Sequence, residues 1–371
     1  LHHEKPFAKM NGSGKHMNWS IGDNTGANYL EPSRSPLKNI SFLMTLGAIL
    51  VGTQRYSGLL RAAISDAGNE HRLGSHEAPP AILSIYLGGY LNDILDSIEG
   101  AKTFTEKTLS TINHGLENMP KVVKDISDRN RTSPIAFTGN RFELRALGSA
   151  ANGSDAAKVL NLICAYGFDW ISKKLDAKKG DMKKNALLIL RDILKSTKPI
   201  RFEGNNYSDD WKREAKKRAL FVVPTTPEAI QYNLDKECVK LYESFGVLSK
   251  RELESRVEIK LAAYINTKLI EYKMGVGLAT GSVLPAILKQ IREVADALNA
   301  VSTLGVKNSA MKSDLTQLSA LYEGIHDNST KLKTFIEGAE AETIGYTLAY
   351  KVATKGADLL QALRTEVDAA E

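Results

Sequence analysis

Beyond about residue 204, the apolar residues of this chain recur at three- and four-residue steps, and an α-helix is the structure that places such residues on one face. One such stripe comprises Leu284, Ile287, Leu288, Ile291, Val294, Ala295, Leu298 and Val301. Another, near the C-terminus, comprises Ile344, Leu348, Val352, Leu359 and Leu363. Apolar stripes of this kind usually pack in a core, so the pattern predicts a helical domain over residues 205–371.

Two helix starts in this region are marked by their residue types. Thr226 precedes Pro227, which predicts Thr226 as an N-cap with proline at the first helical position. Ser249 and Glu252 have the spacing of a capping box, which predicts a further helix start.

Residues 1–152 have a different pattern, with many Gly, Asn, Ser, Pro and His residues, and five of the seven histidines lie before position 77. Short apolar stretches between turn residues predict strands beside loops. The predicted strands are Pro134–Phe137 and Arg141–Leu147, and apolar spacing predicts helices near 38–66, 154–176 and 181–196.

The composition is that of a globular protein, with 43% hydrophobic and 25% charged residues among 371. No apolar run reaches the ~20 residues that a bilayer-spanning helix needs, so no membrane is expected. The two cysteines, Cys164 and Cys238, form no motif, which excludes a disulfide scaffold and a zinc knuckle. A reduced, cytoplasmic compartment is therefore expected.

The net charge of +6 is concentrated in the first 200 residues. Basic runs there alternate with acidic residues, as on a solvated helix face, and aromatic residues are not interleaved with them. A nucleic-acid-binding groove is therefore not predicted.

Four segments use glycine and polar residues without helical or strand periodicity. They are Asn11–Ser20, Asn69–Pro80, Asp128–Pro134 and Arg141–Arg145. In the first, glycines let the backbone approach a ligand, and a strand would place His16, Asn18 and Ser20 on one face; a simple Gly-rich turn before a strand explains it equally well. In the last, Arg141, Glu143 and Arg145 share a strand face, which fits either a salt-bridge row or a metal-plus-phosphate site.

These four segments, in this order, resemble the catalytic domain of glutamine synthetase, in its long type III form. Asn11–Ser20 resembles the ATP-binding signature of that family and Arg72–Pro79 its mobile glutamate flap. Asn130–Thr132 resembles its phosphate-binding arginine, and Arg141–Arg145 its metal-and-substrate strand.

The resemblance implies an α+β fold. Residues 1–204 would be the C-terminal part of the catalytic domain, a partial barrel of antiparallel strands flanked by helices. Residues 205–371 would be an all-helical C-terminal domain. A cytoplasmic homododecamer of two stacked hexameric rings is also implied, with no nucleic acid and no membrane as partner.

The implied reaction is the ATP-dependent ligation of ammonia to glutamate through γ-glutamyl phosphate, for nitrogen assimilation. Mg²⁺ or Mn²⁺ is the implied metal and ATP the co-substrate. By resemblance, the metal ligands are His16 and Glu143, and the ATP contacts are Asn18, Ser20, Arg131 and Arg141. The glutamate contacts are Asn11, Gly12, Arg72 and Arg145, and the catalytic residues are Glu77, Arg72 and Arg131.

Three departures from the family pattern qualify this picture. Arg72 and Glu77 are five positions apart, one fewer than in the short bacterial form. No second arginine follows Arg131 within Ser133–Gly139. Residues 1–30 contain no equivalent of the glutamates that hold the other metal, so the chain is expected to be the C-terminal part of a longer synthetase and inactive by itself.

Two other functions remain open from the residues alone. A ligase of the same fold could join glutamate to a polyamine instead of ammonia. A non-catalytic structural relative could keep the fold and assemble into rings, although such a protein is expected to lose the metal and flap residues. A helical interaction scaffold would explain residues 205–371 and leave the four segments without explanation.

Overall fold

The computed structural model describes residues 14–33, 35–73, 81–100, 111–112, 122–123 and 132–371. The chain forms two compact units, Leu1–Glu254 and Ser255–Glu371. The predicted division into a catalytic part, residues 1–204, and a helical domain, residues 205–371, refers to family domains and not to compact units, and it stays a prediction.

Among the described residues, the N-terminal unit contains short strands and seven α-helices. The strands are β1 (Gly14–Trp19), β2 (Ile85–Tyr86), β3 (Thr111–Ile112), β4 (Val122–Val123), β5 (Ile135–Phe137) and β6 (Phe142–Gly148). The helices are α1 (Ile40–Ala63), α2 (Gly89–Glu99), α3 (Ser154–Asp176), α4 (Met182–Ser196), α5 (Asp209–Lys217), α6 (Thr226–Gln231) and α7 (Lys236–Ser244). The three helices and two strands predicted before residue 204 are confirmed by α1, α3, α4, β5 and β6.

The main sheet has the strand order β1-β6-β5-β2. β6 is antiparallel to both β1 and β5, whereas β2 is parallel to β5. The expectation of antiparallel strands is therefore wrong for the β2–β5 pair. β3 and β4 form a separate antiparallel pair.

The pairing of β1 with β6 contains a bulge. Lys15 pairs with Leu147 and Met17 with Leu144, so one residue of β1, His16, faces two residues of β6. A bulge bends a strand and changes the direction of its side chains, and bulges are frequent beside active sites.

The helices of this unit pack against each other and the sheet through a single apolar core. α1 and α3 approach so closely that a Cβ atom on Gly52 would lie 2.1 Å from the Ile163 carbonyl oxygen, and one on Gly167 would lie 2.0 Å from the Ala48 carbonyl oxygen. α1 is buried around much of its circumference, and its sequence is accordingly apolar along most of its length.

The C-terminal unit consists of long helices. α8 (Lys250–Leu278) begins before the unit boundary and is followed by α9 (Leu284–Thr303), α10 (Ser309–Glu340), α11 (Tyr346–Lys351) and α12 (Ala357–Ala370). π-helical turns at Ala279–Val283 and Val352–Gly356 join α8 to α9 and α11 to α12.

The predicted capping box is confirmed: Ser249 and Glu252 bond reciprocally, and α8 begins at Lys250. The N-cap predicted for α6 is wrong by one residue. Thr225, not Thr226, caps it, because the Thr225 hydroxyl accepts from the Glu228 N–H at 3.4 Å.

Two members of the predicted stripes are exposed. Ile344 is 53% exposed because it precedes α11, and Leu288 is 55% exposed on α9. Across residues 352–356 the π turn also interrupts the regular helical repeat, so residues before and after it do not follow one uninterrupted spacing.

One helical stretch among the described residues, Lys250–Thr303, is long and apolar enough to cross a membrane by length and composition. Its most apolar 18-residue window has a mean hydropathy of 1.3 and is 17% buried. Core helices of soluble proteins meet the same criterion, so this is weak evidence, and the absence of a membrane partner stays a prediction.

In outline the fold is mixed α+β, with a small sheet and mostly helices, as the sequence predicted. The partial barrel and the assignment of an all-helical family domain stay predictions.

Candidate functional site

The site is centred on Glu143 of β6, whose two carboxylate oxygens have different partners. Oε1 lies 2.8 Å from Nδ1 of His16 on β1. Oε2 accepts hydrogen bonds from Arg145, at 2.9 Å from Nε and 2.8 Å from a terminal nitrogen. Residues 127 positions apart along the chain thus meet through the pairing of two strands.

The strand register explains this arrangement. Asn18 pairs with Glu143, and directly opposed residues of an antiparallel pair point to the same face. The His16 side chain is 49% exposed and that of Glu143 is 17% exposed, so this face opens to solvent. Residues of the opposite face, such as Phe142 and Leu144, are buried in the core.

The charges around Glu143 favour its ionised form. Burial raises the pKa of the Glu143 carboxyl, but the hydrogen bonds and charge of Arg145, with those of His16, outweigh burial and lower the pKa below its usual value. Glu143 is therefore a carboxylate at neutral pH and is suited to bind a cation.

The two bulged residues of β6 use their carbonyl groups to hold the segment after α1. The Arg145 carbonyl accepts a hydrogen bond from the Arg72 guanidinium at 2.9 Å, and the Ala146 carbonyl accepts one from the Asn69 amide at 3.0 Å. The Asn69 amide also donates to the Ile64 carbonyl at 2.8 Å. Asn69 is fully buried and Arg72 is 2% exposed, so this segment is fixed tightly against the sheet.

The position of Arg72 depends on a glycine in β1. A Cβ atom on Gly14 would lie 1.9 Å from a terminal nitrogen of Arg72 and 2.1 Å from its Cζ. Gly14 thus lets a buried guanidinium lie directly against the β1 backbone.

A second polar group lies at the end of β1. The Ser20 hydroxyl donates to Oδ1 of Asn28 at 2.6 Å, and the Asn28 amide donates to the Asn140 carbonyl at 2.8 Å. Arg141 is exposed next to Asn140, in the turn between β5 and β6. These contacts place Ser20 and the β5–β6 turn side by side.

The structure thus brings together seven of the residues singled out from the sequence in two neighbouring groups. His16, Asn18, Glu143 and Arg145 share one region of β1 and β6, with Arg72 behind it, and Ser20 lies beside the turn that carries Arg141. Asn11, Gly12, Glu77 and Arg131 lie outside the described residues. The predicted row of Arg141, Glu143 and Arg145 takes a different form, since the partners that the structure gives Glu143 are Arg145 and His16.

Two positioning residues were missed from the sequence, Asn69 and Asn28. Asn69 begins the second polar segment, but nothing in the sequence distinguishes a buried amide from an ordinary turn asparagine. Asn28 lies between the first and second segments, where no motif directed attention to it. Both act through backbone carbonyls, which sequence patterns do not reveal.

The donor atoms are an imidazole nitrogen and a carboxylate oxygen, a combination that suits Mn²⁺ and also Mg²⁺, although Mg²⁺ prefers oxygen alone. Among the described residues, no group of three or more His, Cys, Asp or Glu side chains could hold a metal. Two buried guanidinium groups, Arg72 and Arg145, adjoin the donors and are suited to planar oxyanions.

Comparison with known proteins gives one family. Residues 186–302 match the model of the glutamine synthetase C-terminal domain. The chain is 40% identical over 303 residues to the type-3 glutamine synthetase of Dictyostelium discoideum. This match covers 81% of this chain and 41% of the relative. It is also 40% identical over 291 residues to the glutamine synthetase of Bacteroides fragilis, and that match covers 77% of this chain and 40% of the relative. The chain thus spans about two fifths of the length of these relatives.

Proposed function

Because this chain belongs to the glutamine synthetase family, we propose that it supplies part of the active site of an enzyme that ligates ammonia to L-glutamate at the expense of ATP. The observation that carries the proposal is the cluster of His16, Glu143 and Arg145, which the β1–β6 pairing assembles at an open face of the sheet. The barrel and dodecameric rings implied by the resemblance belong to this proposal.

His16 and Glu143 would hold the divalent cation, Mg²⁺ or Mn²⁺, since their nitrogen and oxygen donors converge and the His16 side is open to solvent. When bound, this ion neutralises negative charge on the phosphate groups of ATP. Arg145 keeps the Glu143 carboxylate ionised and oriented through two hydrogen bonds to Oε2, so that Oε1 remains directed at His16.

Arg72 and Arg145 would bind the carboxylate of glutamate or the oxygens of the transferred phosphoryl group. Their burial strengthens such contacts because little water competes for the guanidinium groups. Asn11 and Gly12 complete the assigned glutamate contacts. Asn18, Ser20, Arg131 and Arg141 would contact ATP.

In the proposed reaction the γ-phosphoryl group passes from ATP to a γ-carboxylate oxygen of glutamate, and ADP is released. Ammonia then attacks the acyl carbon, and phosphate leaves with the electron pair of the broken C–O bond. Glu77 is assigned to take a proton from the bound ammonium and so generate the ammonia that attacks, and Arg131 to stabilise the phosphoryl group. Both assignments rest on the resemblance.

A chimera tests the proposal. In the D. discoideum relative, the 303-residue matching segment is replaced by the corresponding segment of this chain, and glutamine formation from glutamate, ammonium, ATP and Mn²⁺ is measured. We expect ammonium-dependent glutamine formation that Glu143→Gln lowers at least ~10²-fold. Glu293→Gln, on an exposed face of α9, is the matched control and should leave the rate unchanged.

An assembled chimera that makes no glutamine, or one that is insensitive to Glu143→Gln, would contradict the proposal. The isolated chain assayed in parallel should release little phosphate, because the proposed enzyme also needs the parts that the relatives have outside these matches.

Supplying polyamines in place of ammonium tests the alternative ligase of the same fold, which no contact among the described residues favours. Light scattering of the chimera tests the expected dodecamer, and fractionation of cells tests the cytoplasmic location.

A further inference from the structure

A groove on the C-terminal unit lies between the last third of α10 and the helix formed by α11, the π turn and α12. It encloses about 610 Å³, which is within the range of small-molecule sites. It lies outside residues 186–302, where the family model matches, and outside the site described above.

The floor of the groove is apolar and includes Phe335, Leu348 and Leu359. Gly338 of α10 also lines the groove, and a Cβ atom there would have no neighbour within 4 Å. The groove is therefore open above a glycine and can accommodate a flat apolar group.

The rim of the groove is positively charged. Lys331, Lys351 and Lys355 line it together with one acid, Glu342. Glu342 is occupied by Lys351, whose Nζ lies 2.8 and 2.9 Å from its two oxygens. In the described part of the chain, no carboxylate lies within ion-pairing distance of Lys331 or Lys355, so two positive charges on the rim are not neutralised.

The threonines of the groove do not compete with the lysines for an anion. The Thr330 hydroxyl donates to the His326 carbonyl and the Thr334 hydroxyl to the Thr330 carbonyl, each at 3.0 Å. Because both hydrogens are used within α10, recognition of an anion rests with the ammonium groups.

The wall that carries two of the lysines contains the π turn Val352–Gly356. The Tyr272 hydroxyl donates to the Val352 carbonyl at 2.7 Å and so satisfies the start of the turn. Gly356 leaves room for the rings of Tyr272 and Phe335, since a Cβ atom there would lie 2.6 Å from the first and 2.7 Å from the second. π turns often occur at functional sites, and this one is braced by the aromatic ring that forms the groove floor.

We propose that this groove binds a small organic anion, with the apolar body on Phe335 and the anionic group between Lys331 and Lys355. The charge of the rim selects the anion, and the apolar floor excludes small inorganic ions as tight ligands. The site is independent of the proposed synthetase reaction, because none of its residues belongs to the cluster around Glu143.

The test uses the whole 371-residue chain and 1-anilinonaphthalene-8-sulfonate as probe, with binding followed by fluorescence. The double variant Lys331→Ala/Lys355→Ala should raise the Kd about tenfold, since two exposed charge contacts together contribute about 1.4 kcal/mol. The matched control, Lys312→Ala/Lys333→Ala, removes two lysines of α10 that do not line the groove and should leave the Kd unchanged.

A blocking variant separates this site from other apolar surfaces. Gly338→Leu should abolish binding of the probe while the chain keeps or raises its Tm, because the added side chain enters open space and glycine disfavours a helix interior. Uncharged N-phenyl-1-naphthylamine should bind about tenfold more weakly than the sulfonate, and inorganic phosphate should compete only weakly. Equal binding of the charged and uncharged probes, or unchanged binding in either groove variant, would overturn the proposal.

Discussion

At the scale of single residues, the site depends on groups that hold other groups in place. Glu143 has one oxygen for His16 and one for Arg145, and the Arg72 guanidinium is held by the Arg145 carbonyl. Each polar side chain thus has a partner that limits its orientation. Preorganisation of this kind is what an active site needs, because little reorganisation is then required when a charged ligand arrives.

Gly14→Ala should destabilise the chain by about 1–3 kcal/mol, because the new methyl group would occupy the place of the Arg72 guanidinium. Urea unfolding measures the effect. In an Arg72→Ala background the same change should cost much less, since the clashing group is gone. Equal costs in the two backgrounds would show that the contact between Gly14 and Arg72 is not the cause.

Asn69→Ala should cost about 2–5 kcal/mol, because it leaves the buried Ala146 and Ile64 carbonyls without the amide that both accept from. Hydrogen exchange should show faster exchange of the Arg72 and Leu73 amides, whose hydrogen bonds end on the Asn69 carbonyl. Asn185→Ala, in which a partly exposed amide is lost from α4, is the control and should change stability by less than about 0.5 kcal/mol. Comparable effects in the two variants would refute a special role for Asn69.

At the scale of helices and strands, short side chains decide how closely elements approach. Gly52 and Gly167 bring α1 and α3 within contact of each other's backbone carbonyls. This packing surrounds α1 with protein, and α1 in turn leads directly to the segment that carries Asn69 and Arg72.

Gly167→Ala should destabilise the N-terminal unit by about 3 kcal/mol or more, because a methyl group 2.0 Å from a backbone oxygen can be accommodated only if the helices separate. Thermal unfolding followed by circular dichroism measures it. Gly338→Ala makes the same chemical change in open space on α10 and should instead stabilise its helix by up to ~1 kcal/mol. A small effect of Gly167→Ala would mean that α1 and α3 are not close-packed.

The elements that sequence predicted well are those set by local periodicity. The spacing of apolar residues gave α1, α3 and α4 with ends within three residues, and alternation placed His16 on a strand face with Asn18. Features that depend on contacts distant in sequence were not predictable. The bulge in β6 requires the pairing with β1, and the π turn at Val352–Gly356 is supported by Tyr272, which lies 80 residues earlier.

At the scale of the whole molecule, the acid response of the chain should include a contribution from the candidate site. Because the pKa of Glu143 in the folded chain lies below that of the unfolded chain, its stabilisation is fully present above the unfolded pKa. It is lost as the pH falls through the folded value.

Glu143→Gln should therefore lower the free energy of unfolding by about 1–2 kcal/mol at pH 7, with the difference shrinking as the pH falls and the Glu143 carboxylate becomes protonated. Urea unfolding at a series of pH values measures this. Glu293→Gln, an exposed position on α9, serves as the reference variant. A difference that grows on acidification would contradict the sign of the shift.

The division of the chain into two compact units also separates the two binding proposals. The cluster around Glu143 lies in Leu1–Glu254 and the lysine-rimmed groove in Ser255–Glu371. Sequence motifs indicated the Glu143 cluster but not the groove. The lysines of the groove come from two helices, and in the sequence each helix has the pattern of an ordinary solvent-exposed face. A failed probe-binding experiment would therefore leave the synthetase proposal untouched, and the reverse also holds.

The extra residue of β6 makes the length of this strand as important as its composition. Deleting one residue between Glu143 and Leu147 would restore a regular ladder, and the carbonyls that now hold Asn69 and Arg72 would turn to β1 instead. The residues beyond the deletion would keep their partners in β1 and their face of the sheet, so the loss would fall on the contacts of Asn69 and Arg72. This strand should accordingly tolerate a replaced side chain far better than a gained or lost residue.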